Sequence, residues 1–478
     1  MRPVFAWMLL AALASAGVML FVSFQLGVFL LVFAAVGWWV WQNPEEGFLL
    51  FVIIAPLLSM FKATQTVGVV TLVKDVIILV LVLRVVLFPL FTKRLSYRRS
   101  ILFGPAAALA AWTVLQTLRA ESLALGILRA RDIILYLLLY FVVLYLPANK
   151  EIWVNRLRWF TLSFAVSALH AGYQWFWVGD SAVLRFDPGR SIWIPRISST
   201  FGHPSVYGEY LVAAAVLFAS CALFLQKKWR IAFGGLFLIT LPIIFLTYSR
   251  AVWIGFAVAV GIIGVIWTLR HLQGVVRVGF IAASGVLGTV LIIGLLRFTP
   301  VGSLLRSAFD PTYKSNQERL EFAARLIAPM SNVDAIIGRG LGDVIQQQLR
   351  KVDVGAEEIA AGASRDVQLA KNATLVDNQY LKSFVEIGLL GLVIYFWLFW
   401  RFARGTWELA RQFGGRHKQI IALSSAGFLA AFVVQGLVID IWDIFPTNAM
   451  FWIVGGLVSA ALTTYTSSDE RRNISSAG

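Results

Sequence analysis

The sequence predicts an all-α polytopic membrane protein of about 12–14 transmembrane helices with one large, partly helical loop. Three observations carry this prediction. The 478 residues are 59% hydrophobic and 14% charged, with a mean hydropathy of +0.78; soluble domains hold about 25% charged residues. The apolar residues fall in runs of roughly 16–24, enough or nearly enough to cross a hydrocarbon core about 30 Å thick. Short charged connectors separate the runs. This composition excludes a soluble enzyme, a disordered chain and a disulfide-stapled scaffold, since the single Cys221 cannot form an intramolecular bridge.

Fourteen apolar segments can be read along the chain: 4–22, 24–41, 48–61, 70–91, 102–118, 124–147, 160–178, 205–225, 231–247, 251–269, 278–296, 379–400, 419–438 and 448–465. The first has no cleavage-site pattern and runs straight into the second, so it reads as a span rather than a signal peptide. Segment 48–61 is short and contains Pro56, which predicts a re-entrant or tilted element. The chain divides into N-terminal spans (1–159), spans carrying arginine motifs (160–296), the large loop (297–378), and C-terminal spans with a tail (379–478).

The connectors alternate in charge. Those on one side, from Arg2 and Lys93 through Lys227 and Arg401 to Arg472, hold 20 basic and six acidic residues. Nearly all of the net +16 is therefore on that side, which the positive-inside rule makes cytoplasmic, with both termini there. The basic balance is topology and not a nucleic-acid footprint, because no basic stripe with interleaved aromatics occurs. The other side holds the loops 179–204 and 297–378. The second is 82 positions long, with ten basic and ten acidic residues, and loops of that length are usually functional. Within it, Leu320, Ala323, Ala324 and Ile327 recur at helical spacing, and Pro329 ends the helix. A turn follows at Gly338-Arg339-Gly340-Leu341-Gly342; the stretch 352–373 is polar and reads as mobile. The three glycines are no dinucleotide fingerprint, since no βαβ unit surrounds them.

Four clusters on the outer side can carry chemistry. The first runs Pro195-Arg196-Ile197-Ser198-Ser199-Thr200-Phe201-Gly202-His203-Pro204 and leads to Tyr207 and Glu209. The second is Thr247-Tyr248-Ser249-Arg250, a connector so short that Arg250 is held at the membrane surface. The third is Asn316-Gln317-Glu318-Arg319 at the start of the loop helix. The fourth is Asp377-Asn378-Gln379-Tyr380-Leu381 with Lys382 and Glu386, spaced i, i+4 on one helix face. Ionisable groups at membrane depth tend to face a polar cavity or a partner. Several arginines on one face would suit phosphate or diphosphate, because guanidinium combines charge with a bidentate fork. Plain structural readings stand beside these. Arg129, Arg131, Arg185 and Arg190 fit snorkelling to headgroups, Asp132 pairs with a neighbouring arginine, and Lys74 with Asp75 forms a structural pair. Asp377 fits a helix N-cap as well as a catalytic group. His203 fits a loop histidine as well as a base.

At these clusters the sequence resembles the O-antigen ligase / O-antigen polymerase superfamily of bacterial inner-membrane glycosyltransferases, best over residues 160–400. The resemblance implies a GT-C-like, metal-independent enzyme that needs no cofactor and faces the periplasm. Its donor would be a glycan on undecaprenyl diphosphate. The acceptor would be the hydroxyl of another lipid-linked glycan, lipid A-core or protein. By motif, Arg250 and Arg319 would hold the diphosphate with Arg196 assisting, and Ser249, Tyr248, Glu318, Asn378, Lys382 and Glu386 would support the site. Ligases of this family carry a histidine at the end of the large loop as base; here that position is Asp377, and no histidine lies between His271 and His417. A carboxylate can act as base or orient the hydroxyl, so Asp377 takes that role, with His203 in reserve. Asp followed by Asn is similar to polymerase-like members. The expectation is a polysaccharide polymerase acting by one in-line, inverting displacement; ligase is the nearest rival. A transporter or flippase is the rival from another class, and would spread charge through a mid-span cavity. Membrane lipids are partners in every case, and a chain-length regulator stays open as a partner.

Overall fold

The computed structural model describes residues 24–63, 67–95, 98–178, 184–187, 192–279, 314–350, 378–412, 415–442 and 444–476. Its first helices are α1 (Phe24–Gln42), α2 (Pro44–Ala63), α3 (Val67–Val82), α4 (Phe103–Leu118), α5 (Leu123–Tyr145) and α6 (Lys150–Tyr173). A hairpin of β1 (Leu184–Asp187) and β2 (Ile192–Pro195) leads into α7 (Pro204–Phe224), α8 (Lys227–Leu246) and α9 (Arg250–His271). The large loop contributes α10 (Lys314–Ile327), α11 (Asn332–Ile337) and α12 (Asp343–Arg350). Three helices close the chain: α13 (Gln379–Arg411), α14 (Arg416–Gln435) and α15 (Thr447–Ser476).

The fold is the expected all-α polytopic one. By length and composition, α7, α8, α9, α13 and α14 can each cross a membrane. Segments 24–41, 102–118 and 205–225 coincide with α1, α4 and α7 to within about a residue. Of the two readings of segment 48–61 the re-entrant one is corrected: α2 is one continuous helix of 20 residues that passes through Pro56. The neighbouring Glu45 and Glu46 in its first turn had hidden its true start from the hydropathy. Segment 4–22, most of 278–296 and the stretch 352–373 lie outside the described residues. The loop helix forms as expected and stops two residues before Pro329. The hairpin was not anticipated. Leu184 pairs with Pro195 and Asp187 with Ile192 in antiparallel register; the alternation Leu184-Arg185-Phe186-Asp187 was the available signal, but it is only four residues long.

Packing follows from the membrane setting. Lipid tails are as apolar as the side chains, so helices associate by close fit, and small residues mark the contacts. Helix α9 packs along α14, α7 between α8 and α14, and α5 along α15. At Gly208 of α7 a Cβ would meet Val252 of α9 at 2.5 Å; at Gly456 of α15 one would meet the Tyr140 carbonyl of α5 at 2.9 Å. Behind these contacts sits an aromatic core. Trp442 stacks on Tyr395 at 5.0 Å and lies 4.8 Å from Phe451 and 5.3 Å from Phe432.

Candidate functional site

The site begins with a break in α13. Gly388 has φ 69 and ψ −176, so the helical ladder stops and restarts there. A break leaves upstream carbonyls without their i+4 donors, and in a bilayer those groups need other partners. They find them. Arg339 N–H donates to Val385 O (2.9 Å), Gly340 N–H to Glu386 O (3.0 Å), and the Trp112 indole to Ile387 O (2.9 Å). The glycine-rich turn of the loop is thus a plug for the broken helix. Gly338 has φ 86, and a Cβ there would lie 2.4 Å from the Glu386 carbonyl. Only glycine permits both the backbone angle and the approach. From the other side, Gln116 donates to Ile337 O (2.5 Å) and Arg119 to Gly338 O (3.1 Å). Phe322 and Leu326 of α10 and Val344 of α12 pack with Leu381 and Val385 of α13, so α10 is fixed against the same break. At the turn, burial pushes the Asp343 carboxyl above the usual carboxylate range, and Arg339 at 3.5 Å counters part of that.

Two ion pairs lie beneath the turn. Glu386 accepts from Arg129 of α5 at 3.4 Å and from the Gly342 N–H at 3.2 Å. Lys382, one turn earlier, pairs with Asp440 at 2.5 Å. All four residues are buried. Lys382 and Glu386 do share a helix face, but each serves a different partner. The snorkelling reading of Arg129 is corrected: its side chain turns inward to a carboxylate. Arg131 behaves otherwise. It is half exposed, binding Asp132 at 2.8 Å and lying 3.7 Å from Asp75, which also pairs with Lys74 at 2.5 Å. Nearby, the buried Glu209 of α7 accepts from Thr447 at 2.5 Å. Glu209 Oε1 and Asp440 Oδ1 have no hydrogen-bond partner among the described residues.

The arginine clusters meet where α7 and α9 begin. Gln174, in a π-helical turn at the end of α6, accepts from Ser198 N (3.3 Å) and Ser199 N (2.7 Å) and donates to Ser199 O (3.2 Å). This holds Ser199 at φ 50. Arg196 is buried, and its Nε donates to Thr247 O at 2.9 Å, bracing the connector that carries Arg250. Tyr248 in that connector has φ 47, a left-handed angle uncommon for a non-glycine residue. Ser249 Oγ donates to Ser205 Oγ at 3.1 Å, which ties the first turn of α9 to that of α7. Arg250 is the first residue of α9 and is half-buried; His203 is exposed at the N-cap of α7. Neither Ser249 nor His203 caps its helix with its side chain. Two helix N-termini therefore lie side by side without side-chain caps.

Asn378 caps α13, accepting from Leu381 N at 3.0 Å, so the N-cap is this residue and not Asp377. Asp377 lies outside the described residues. Glu318 and Arg319 sit on α10, with Arg319 one turn before Phe322. The sequence reading missed Asp440, Thr447 and the inward role of Arg129. Asp440, one of two acids (with Asp443) in the short connector between two apolar spans, was the signal available for the first.

Residues 235–396, about a third of the chain, match the family described as O-Antigen ligase. The chain carries an O-antigen ligase family domain. That domain takes in Arg250, Arg319, the glycine-rich turn and the broken half of α13. It supports an enzyme role of ligase or polymerase type in a multi-pass inner-membrane protein. Arg129, Asp440 and Arg196, which brace residues of the O-antigen ligase domain, lie outside the matched stretch, as does Glu209. Among curated proteins, none matches the chain.

Proposed function

We propose that the protein polymerises glycan repeat units carried on undecaprenyl diphosphate, at the periplasmic face and without a metal. The observation that carries this reading is the pair of helix N-termini at Arg250. A helix N-terminus presents unpaired amides and the positive end of the helix dipole, which favours anions. Two such ends, tied by the 3.1 Å hydrogen bond from Ser249 Oγ to Ser205 Oγ, with a guanidinium at the first position of one, suit a diphosphate. In the proposed step the acceptor hydroxyl oxygen bonds to the anomeric carbon while the bond to the diphosphate oxygen breaks. The leaving diphosphate takes the electron pair, and Arg250 and Arg319 neutralise its growing charge without reorganising. The hydroxyl proton passes to Asp377, with His203 as the reserve base. Arg196 positions the Arg250 connector. Ser249, Tyr248, Asn378, Lys382 and Glu386 hold the frame, and Glu318 accompanies Arg319. The free oxygens of Glu209 and Asp440 are suited to sugar hydroxyls.

One group of buried charges speaks against the transporter reading: Arg129, Glu209, Lys382 and Glu386 all lie within the first eight residues of their helices, at one end of the bundle. The buried Lys74–Asp75 pair sits midway along α3, and the Arg156–Glu45 pair lies at the opposite end. Ligase remains the second reading, since it shares the donor site and differs in acceptor. Purified protein given lipid-diphosphate glycan alone decides: a ladder of polymer supports polymerase, and product only after lipid A-core is added overturns it. Arg250→Ala and Arg319→Ala should each lower transfer by at least about 100-fold in folded protein, the scale of losing one transition-state donor. Near-normal turnover in either removes that arginine from the leaving-group role. Activity should survive EDTA.

A further inference from the structure

One unexplained feature is an apolar cleft between α2, α6, α7, α14 and α15, with an empty volume of about 1040 Å³ that includes space open to its surroundings. Its upper end lies at Tyr210 and Pro446, the residues next to Glu209 and Thr447. Its far end lies at Arg156. Along α7 it runs from Tyr210 to Leu217, and along α15 from Ala449 to Leu457; at 1.5 Å per residue these stretches are roughly 10–12 Å long. Leu217 and Leu457 are only half-buried, so the cleft is not sealed from the surroundings of the bundle. Tyr210 is five residues below Ser205, about 7–8 Å down the helix from the contact with the Arg250 connector.

We infer that this cleft seats the head-proximal part of the polyisoprenoid chain of a lipid diphosphate. The inference rests on the diphosphate reading of the Arg250 site. Three features select the occupant. The walls are mostly aliphatic and aromatic, and two of the helices that form them, α7 and α14, are long and apolar enough to cross a bilayer, so a hydrocarbon chain is the chemistry they accept. The upper mouth lies one to two helical turns from the anion site, a chain's distance from its own head group. The far end offers no head-group site: Arg156 commits Nε and Nη2 to Glu45 at 2.8 Å each, and Nη2 also to Pro147 O at 2.9 Å. A phospholipid with its phosphate at that end is disfavoured, and a chain entering from the Tyr210 end is favoured. The cleft is shorter than a long polyisoprenoid, so the distal part of the chain would leave it for the bilayer.

The test uses the full chain in phospholipid nanodiscs with a diazirine-bearing polyprenyl diphosphate that carries no glycan. Labelling should concentrate on the α7 and α15 peptides that line the cleft. Excess unlabelled polyprenyl phosphate should reduce it at least tenfold, and excess phospholipid should not. Ala449→Trp and Ala213→Trp, which fill the cleft from opposite walls, should each cut labelling at least tenfold. Both should raise the KM for a long-chain donor about tenfold while leaving kcat, and the KM for a short-chain donor, within about twofold. If a tryptophan variant fails to fold, the labelling pattern of the unaltered protein decides. Label spread evenly over the outer helices, or equal competition by phospholipid, overturns the inference. Transfer by the unaltered protein is measured separately. Cleft labelling without any transfer refutes the transferase reading alone, and transfer without cleft labelling refutes the cleft alone.

Discussion

Lys382 and Asp440 show how much a single side chain in a membrane depends on its partner. Each is buried, and they meet at 2.5 Å across 58 residues of chain. Removing one member of a buried pair strands the other charge, at a cost of about 3–5 kcal/mol, whereas replacing both with apolar groups is often neutral. Lys382→Met and Asp440→Leu should each lower thermal stability in detergent sharply. The double variant should recover most of the loss. If the double variant is as unstable as the singles added together, the pair is not a coupled unit. Activity separates structure from chemistry in the same proteins, because a double variant that is stable but inactive gives the Lys382–Asp440 pair a role in the reaction beyond stability. Arg129 and Glu386 invite the same comparison, with the added Gly342 amide bond to Glu386 making the carboxylate the harder member to replace.

At the scale of an element, the broken helix α13 is what turns a run of apolar residues into a site. Its hydropathy announces a span, but nothing in that hydropathy announces the break at Gly388. The four glycines at 338, 340, 342 and 388 all have positive φ; Gly338 and Gly388 meet backbone to backbone, while a Cβ on Gly340 would meet the Ala120 backbone and one on Gly342 would meet Leu125. A Cβ on Gly388 would lie 2.4 Å from the Gly338 amide nitrogen. Gly388→Ala should therefore dislodge the turn, combining a backbone penalty of about 1–3 kcal/mol for this essentially glycine-only conformation with the clash. Gly172→Ala is the control, since nothing lies within 4 Å of its Cβ position. Limited proteolysis of the α10–α12 region should rise in the first variant and not in the second. Equal protection in both would mean that the turn is held by something other than the break. The glycine-rich turn was legible as a turn from its sequence. Its docking partner was not, because Gly340 and Glu386 are 46 residues apart and their bond is between main-chain atoms.

For the whole molecule, sidedness is the open prediction. Twenty basic residues on one set of connectors predict both termini in the cytoplasm and the Arg250 end in the periplasm. Cys221 is buried, which leaves single introduced cysteines readable against it. A cysteine at Lys228 should resist a membrane-impermeant thiol reagent in intact spheroplasts, and one at His203 should react. The reverse pattern would invert the topology and with it the periplasmic assignment of the transfer site. The hydropathy of each run and the charge of each connector are properties of contiguous residues, so the sequence alone determined the helical membrane fold, its approximate spans and the arginine clusters worth attention. Those clusters also led to the family whose domain spans residues 235–396. Which charges meet is a different kind of fact. Arg129 reaches Glu386 across 257 residues, Arg196 is spent on the Thr247 carbonyl, and α7 and α9 begin side by side. Only the tertiary structure decided these, because a buried charge or a freed carbonyl takes whichever partner the packing of the helices brings within about 3 Å, and no local pattern records that choice.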